Sequence, residues 1–262
     1  MRPFLFKTSS GRIWELDFFR GCMILLMFLA HFLYDLMLFG TTWSFAVPAW
    51  AEPANAAWRF LMSDDYTFFD SVIVFGFFAA AGVSSSLTRS GWMHGLKVLG
   101  FAFVVSLCSG LVGMVIRFGV LHALGVCMLF EALLRSLKAN KIVVGVLAAL
   151  FLLAGLYPMS GAPLPEVLRP YDWFFEVFGW PIGVYDDYTP LIPHLGLFLL
   201  GSLAGRIVYA QKRSLAPATR PLIGRPIEFL GRHSLPIYVT HQLILFGLFT
   251  AFSLISSLPL PF

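Results

Sequence analysis

One hydrophobic stretch of the chain, residues 12–36, carries ionisable side chains whose types and spacing suit chemistry inside a membrane. They include Asp17, Arg20, His31 and Asp35. An ionisable group in the hydrocarbon core is costly, so such groups are rarely there without a function. Eleven residues separate Arg20 from His31, and eleven steps of about 100° return to nearly the same side of a helix. We therefore predict one helix face with a charged lower end and a His/Asp upper end, about 16 Å apart.

The chemistry that His31 offers is proton transfer or nucleophilic attack. A neutral imidazole can accept a proton from a hydroxyl or amine as that group attacks a carbonyl carbon, or it can take an acyl group itself. Asp35 lies four residues further on, which lets its carboxylate orient or charge the imidazole. The alternative is structural, in which His31 and Asp35 only hold helices together by buried hydrogen bonds. The residues alone leave both interpretations open.

The composition indicates an integral membrane protein. Hydrophobic residues make up 58% of the chain and charged residues only 12%, with a mean hydropathy of +0.81. A soluble domain has about twice that charged fraction, and the apolar runs are long enough for helices rather than barrel strands. The net charge of +4 does not predict a nucleic-acid partner, because the basic residues cluster by loop. Cys22, Cys108 and Cys127 lack metal-binding spacing, so we predict no metal site.

The hydrophobic runs predict an all-α polytopic membrane protein, a bundle of about seven transmembrane helices that forms a single domain over residues 1–262. The predicted spans are 13–39, 67–88, 93–116, 118–137, 141–158, 190–210 and 235–256. Residues 159–189 are predicted to be a long loop with a half-helix around 173–178 at the interface, where Trp prefers to lie. A short surface helix is predicted at 226–231.

Basic residues predict the orientation of the bundle. Fourteen of the eighteen Lys and Arg fall on one side: Arg2, Lys7, Arg12, Arg89, Lys97, Arg135, Lys138, Lys141, Arg206, Lys212, Arg213, Arg220, Arg225 and Arg232. Acidic residues mark the other side: Glu52, Asp64, Asp65, Glu166, Asp172, Asp186 and Asp187. The positive-inside rule then places the N-terminus in the cytoplasm and the C-terminus outside.

Further polar residues lie at the predicted outer ends of the helices. Arg117 and His122 flank a tight turn, and His122 is one turn inside the fourth helix. Arg117 could instead anchor at the interface, because Arg extends readily to headgroups. Asp187 precedes His194, which opens the sixth span behind two prolines. Asp187 could hold an acceptor substrate, or it could be a solvated loop carboxylate.

The predicted cytoplasmic ends carry a second set of polar residues. Arg232 and His233 precede the last span, and His241 lies two turns into it, near the level of Arg20. Glu131 and Arg135 have the spacing of an i, i+4 helix pair, and we predict no more than that. Gly201 and Gly205 form a small-residue face that favours close helix packing.

Four motifs together resemble a known family. They are Leu16-Asp17-x-x-Arg20-Gly21 with His31-Phe-Leu-Tyr-Asp35, Arg117-Phe-Gly-Val-Leu-His122, Asp187-Tyr-x-Pro-x-x-Pro193, and Gly231-Arg-His-Ser-Leu-x-Ile-Tyr-x-x-His241-Gln. In order and spacing they resemble the bacterial relatives of heparan-alpha-glucosaminide N-acetyltransferase, specifically its catalytic membrane domain. The spacing of Arg20 and His31 is also similar to that of membrane O-acyltransferases that modify cell-surface sugars.

The resemblance implies an acyl-CoA-dependent transmembrane acyltransferase, and because it is to bacterial proteins, it implies a location in the bacterial inner membrane. Such an enzyme takes an acetyl or other acyl group from cytoplasmic acyl-CoA and passes it to a saccharide or similar acceptor at the outer face. Asp17, Arg20, Arg232, His233 and His241 are then expected to bind the donor, since Arg suits bidentate phosphate contact. The acceptor residues would be Asp187 and His194.

The predicted catalytic roles fall on four residues. His31 would act as base or nucleophile and Asp35 would stabilise its imidazolium. Arg117 or His122 would offset the developing oxyanion. The family's catalytic His lies in the outer loop after the first conserved helix, where this chain has Thr41, Thr42 and Trp43, so that role is predicted to pass to His31.

Two other functions remain open at this level. A proton-coupled transporter would use His31 and Asp35 as a relay, although such proteins more often show an inverted repeat and broken helices, which this sequence lacks. A non-catalytic membrane scaffold would use its polar residues only for packing. A homo-oligomer is compatible with the sequence, which does not define the oligomeric state.

Overall fold

All of the regular secondary structure in the part of the chain that the structure describes is helical. The computed structural model describes residues 13–88, 90–111, 116–182, 187–216 and 224–261, and no β-strand occurs in those ranges. The helices are α1 (Trp14–Ser44), α2 (Ala51–Leu61), α3 (Asp64–Leu87), α4 (Gly91–Leu111), α5 (Val120–Ser136), α6 (Lys141–Met159), α7 (Asp172–Phe175), α8 (Leu191–Val208), α9 (Gly224–Arg232) and α10 (Ser234–Ile255). Short 3-10 turns occupy Pro48–Trp50, Glu166–Tyr171 and Glu176–Phe178.

Six of the helices in the described ranges are long and apolar enough to cross a membrane: α1, α3, α4, α6, α8 and α10. The predicted span 118–137 is also a helix, α5, but its 17 residues fall short of the roughly 20 that a bilayer requires. An all-α integral membrane protein is therefore confirmed, with six candidate spans. The seventh span and the orientation of the termini stay predictions. Arg2, Lys7, Arg12, Arg89, Asp186 and Arg220, which entered the orientation prediction, lie outside the described residues.

The shorter helices agree only in part with those predicted from the sequence. The predicted half-helix corresponds to α7 and its flanking 3-10 turns, and the predicted surface helix corresponds to α9. Helix α1 continues to Ser44, five residues beyond the predicted end at residue 39. Helix α2 was not predicted, because its sequence contains Pro53 and buries only Ala54, Ala57 and Leu61.

By its internal contacts the chain divides into two compact units, whose boundaries fall within α1 and α3. The first unit comprises Met1–Leu16 and Phe75–Thr219, and the second comprises Asp17–Val74 and Arg220–Phe262. The single domain expected over residues 1–262 stays a prediction, and each unit is described below by itself.

In the first unit, close helix packing depends on small residues. Helix α6 packs against α8, and α4 packs against α5. The predicted small-residue face of α8 lies against α3, where a Cβ atom at Gly201 would collide with the carbonyl oxygen of Ala79. At Gly205 a Cβ would collide with the Ser86 hydroxyl. These glycines let the two backbones approach without intervening side chains.

In the second unit, α1 is the element against which α9 and α10 pack. A Cβ atom at Gly231 of α9 would collide with the carbonyl oxygen of Asp17 on α1. Towards the other end of α1, Phe39 and Trp43 form a buried cluster with Phe249 of α10. The Trp43 indole N–H donates to the Ser253 hydroxyl at 2.8 Å. Contacts at both ends therefore fix the register between α1 and the C-terminal helices.

Candidate functional site

His31 of α1 and His241 of α10 meet in the middle of the second unit. Their ring centroids lie 4.5 Å apart with the rings nearly perpendicular, at 85°. The Nδ1 of His31 is 3.0 Å from the Met27 carbonyl oxygen, and the Nδ1 of His241 is 2.6 Å from that of Tyr238. A carbonyl only accepts hydrogen bonds, so the Nδ1 of each ring carries a hydrogen. In a neutral imidazole the Nε2 is then the nitrogen that can accept a proton.

The environments of the two imidazoles differ. His241 is 5% exposed, and its Nε2 is buried without a hydrogen-bond partner among the described residues. His31 is only partly buried. From the sequence, His241 was assigned to donor binding near the level of Arg20, but the structure places it against His31. The pair thus combines one enclosed and one more accessible basic nitrogen.

Asp35 lies one turn beyond His31 on α1 and is completely buried. Its Oδ1 accepts a hydrogen bond from the side-chain amide of Gln242 at 3.0 Å. The Oδ2 of Asp35 and the Oε1 of Gln242 are buried acceptors with no partner in the described part of the chain. The same two helices therefore carry both contacts: α1 holds His31 and Asp35, and α10 holds His241 and Gln242. The role predicted for Asp35 on the imidazole stays a prediction.

Asp70 is a further carboxylate at this site that the sequence analysis missed. It lies on α3 with an exposed side chain, and its charge interacts electrostatically with that of His31. Tyr66, one turn earlier on α3, interacts with Asp70 in turn. The signal was present in the sequence, since Asp70 is an ionisable residue inside the predicted span 67–88. The sequence analysis considered Asp64 and Asp65 as acidic outer residues and assigned no role to Asp70.

The N-terminal end of α1 holds an ion-pair cluster in the second unit. The Nε of Arg232 is 3.3 Å from the Asp17 carboxylate, and its Nη2 is 2.8 Å from that of Glu228. Arg20 approaches Asp17 more loosely, at 3.7 Å. The predicted grouping of Asp17, Arg20 and Arg232 is thus present, with Glu228 as an unpredicted member. His233 follows with an exposed ring whose Nδ1 is 2.9 Å from the Phe229 carbonyl oxygen.

The remaining predicted site residues lie in the first unit. Arg117 forms an ion pair with the buried Glu176 at 3.6 Å. Nearby, Asp187 packs against Gly119 so closely that a Cβ there would collide with its carboxylate. His122 contacts the rings of Phe103 and Phe118, with centroids 5.5 and 5.8 Å away. His194 lies against Phe75 and Phe78, and its Nδ1 is 2.7 Å from the Pro190 carbonyl oxygen. The roles of these four residues stay predictions.

Comparison with known protein families gives a match. A family model described as "Heparan-alpha-glucosaminide N-acetyltransferase, catalytic" matches residues 12–243. The chain belongs to this family. The resemblance that the four motifs indicated is therefore confirmed, and the matched range includes both histidines of the pair and the whole ion-pair cluster. Neither a comparison with curated proteins nor one with solved structures gives a match.

Membership of the heparan-alpha-glucosaminide N-acetyltransferase family identifies the protein as a membrane transferase of the acetyltransferase type. The family uses acetyl-CoA as donor in general. Within the described ranges, no group of three His, Cys, Asp or Glu side chains is placed to hold a metal ion.

This family member also contains a buried charge network in its first unit. Glu131 is completely buried and accepts from Arg135 at 2.7 Å, Arg206 at 3.1 Å, Ser85 at 3.1 Å and Ser202 at 3.2 Å. From the sequence, Glu131 and Arg135 were predicted to form only an i, i+4 pair. The network instead joins α3, α5 and α8, because its other members come from helices distant in sequence.

Proposed function

We propose that the protein moves an acetyl or other acyl group from cytoplasmic acyl-CoA to a saccharide or similar acceptor at the outer face of a bacterial inner membrane. The observation that carries the proposal is the pair His31 and His241. Their tautomers leave Nε2 as the basic nitrogen of each ring, in a chain that belongs to an acetyltransferase family.

His31 is the general base of the proposed reaction. The acceptor hydroxyl or amine gives its proton to the Nε2 of His31 while its oxygen or nitrogen attacks the thioester carbonyl. The carbon–sulfur bond breaks, and the thiolate of CoA takes up the proton to leave as a thiol. Throughout the reaction, the Nδ1–H of His31 donates its hydrogen bond to the Met27 carbonyl oxygen and thereby holds the ring in place. In the covalent alternative, the same Nε2 would attack the thioester first.

The neighbours of His31 favour this role. Protonation of His31 creates an imidazolium, and the negative charge of Asp70, which interacts with His31, stabilises it. The second ring, His241, is enclosed and lies against His31, and its own Nε2 has no hydrogen-bond partner among the described residues. A transition state in which His31 gains positive charge is therefore stabilised more than the ground state, as catalysis requires.

The donor is proposed to lie along α1. Arg20 at the charged end would meet the phosphates of CoA, and the eleven residues from Arg20 to His31 span about 16 Å. Ile24 and Met27 line this face between them and are both buried. Phe28, the residue after Met27, is 38% exposed. The pantetheine arm would pass along the apolar face and bring the thioester to His31.

The direct test is release of the CoA thiol by the purified protein. We expect free thiol to appear from acetyl-CoA only when a saccharide or amino-sugar acceptor is added, with equal amounts of acetylated acceptor formed. Omitting the acceptor gives the background rate of hydrolysis. A folded protein that releases no thiol from any acyl-CoA across a panel of sugar acceptors would contradict the proposal, and a transporter or scaffold would behave in that way.

A further inference from the structure

A short turn in the first unit, residues 212–216, holds the carboxylate of Glu15. Three donors converge on the Oε1 of Glu15: the Ser214 hydroxyl at 2.8 Å, the Leu215 backbone N–H at 2.6 Å and the Ala216 backbone N–H at 3.2 Å. Successive backbone N–H groups directed at one point form a nest, an arrangement that binds anions. The turn is thus an anion-binding site occupied by an anion of the protein itself.

Glu15 satisfies this site incompletely. Its other oxygen, Oε2, is buried and has no hydrogen-bond partner in the ranges that the structure describes. A buried charged oxygen without a donor is unfavourable. An anion that fills the nest and also reaches water or a basic side chain with its remaining oxygens would be held better. A phosphate monoester has that shape and charge, with three terminal oxygens.

Two contacts that do not involve the Glu15 side chain also hold the turn. The Trp14 indole N–H donates to the Ala216 carbonyl oxygen at 3.0 Å, and the Lys212 ammonium donates to the Leu87 carbonyl at 3.1 Å. Displacement of the Glu15 carboxylate would remove neither contact. The nest is therefore preorganised for another anion, which lowers the cost of binding.

The surroundings of the turn favour a dianion over a carboxylate. Lys212 and Arg213 are exposed beside the nest and add positive charge. Burial and the neighbouring Glu15 charge raise the pKa of Tyr209, so that its phenol stays a neutral hydrogen-bond donor. In the ion-pair cluster of the second unit, by contrast, Arg232 already contacts two carboxylates.

We propose that residues 212–216 form a binding site for a phosphate monoester group, and that Glu15 occupies it until such a group displaces the carboxylate. The site takes phosphate whether it comes as a free ion, from a nucleotide or from a lipid headgroup. The proposal does not depend on the acyl-transfer function, because binding is measured without a reaction.

The test measures binding of inorganic phosphate to the purified full-length protein by equilibrium dialysis. Glu15→Gln keeps the size of the side chain but removes the competing charge, so the Kd for phosphate is expected to fall about tenfold. Ser214→Ala removes one donor and is expected to raise the Kd severalfold. Glu166→Gln makes the same charge change at an exposed position elsewhere and should leave the Kd unchanged.

Two results would contradict the proposed phosphate site. A Glu15→Gln protein that binds phosphate no more tightly than the parent would show that Glu15 only anchors the turn. Where Glu15→Gln does not purify as a folded protein, Ser214→Ala decides, and an unchanged Kd in that variant overturns the site. Melting curves of each variant establish that the binding data come from folded protein.

Two further arms identify the source of the phosphate once the site is shown. Tighter binding of CoA to Glu15→Gln, absent for CoA that lacks its 3′-phosphate, would assign the site to the nucleotide. Tighter binding to nanodiscs that contain phosphatidic acid, absent with phosphatidylcholine alone, would assign it to lipid. Both results support a phosphate site, and they differ only in its physiological ligand.

Discussion

Replacing His31 by alanine is expected to lower the kcat for acyl transfer by about a hundredfold or more, while acyl-CoA still binds. The physical reason is that the Nε2 of His31 interacts with the acceptor proton mainly in the transition state. Loss of the imidazole therefore removes transition-state stabilisation and leaves donor binding at the charged end of α1 intact. The measurement is steady-state transfer from acetyl-CoA, together with the Kd of the donor.

His94→Ala is the matched control for this variant. His94 lies on α4 in the first unit with an exposed ring that bonds to Ser90, and it has no part in the proposed reaction. We expect His94→Ala to retain full activity and the same melting temperature as the parent. Undiminished transfer by a folded His31→Ala protein would remove the base from the mechanism.

Glu131→Gln is expected to produce the largest loss of stability. The substitution keeps the volume of the side chain but removes the charge that compensates Arg135 and Arg206 in the buried network. Leaving a buried charge without its partner destabilises proteins by roughly 3 kcal/mol or more. The loss of stability in Glu131→Gln should lie near the lower end of this range, because the Arg135 side chain is 32% exposed to solvent. Thermal unfolding in detergent measures the effect as a drop of several degrees in Tm.

Glu52→Gln provides the same change in an exposed pair. Glu52 bonds to Arg59 at 2.8 Å, as close as the pair of Glu131 and Arg135, but the two side chains are 79% and 59% exposed. Water screens such a pair, and its loss costs under about 1 kcal/mol. Equal melting temperatures for Glu131→Gln and Glu52→Gln would show that the network around Glu131 does not stabilise the first unit.

The sequence predicted those parts of the fold that depend on the length of an apolar run. Runs of about 20 apolar residues located the six candidate spans and α5, because a bilayer imposes that length on a helix. Helix α2 was missed because it is short and its buried residues include the small Ala54 and Ala57. Ala54 lies against Gly40 of α1. Packing of that kind depends on a partner in another part of the chain, which single-sequence periodicity does not contain.

The site was predictable as a set of residue types and much less as a set of contacts. Phase along one helix placed Arg20, His31 and Asp35 on a common face, and the charged end with Asp17 and Arg232 was anticipated. The contact of His31 with His241 crosses from α1 to α10, a separation that no spacing rule covers. Gln242 was missed for the same reason, because its partner Asp35 lies 207 positions away. Glu228 is instead an i, i+4 partner of Arg232, and that spacing was present in the sequence.

The central claim is that the acyl group crosses from cytoplasmic acyl-CoA to an acceptor on the other side. The most direct measurement uses proteoliposomes of defined orientation, with radiolabelled acetyl-CoA outside and a membrane-impermeant amino sugar or saccharide inside. We expect the label to appear on the enclosed acceptor only in vesicles whose cytoplasmic face points outward, and to be lost with His31→Ala. Label that appears only on acceptor added to the same side as acetyl-CoA, or no labelled acceptor in either orientation, would contradict the proposed transfer.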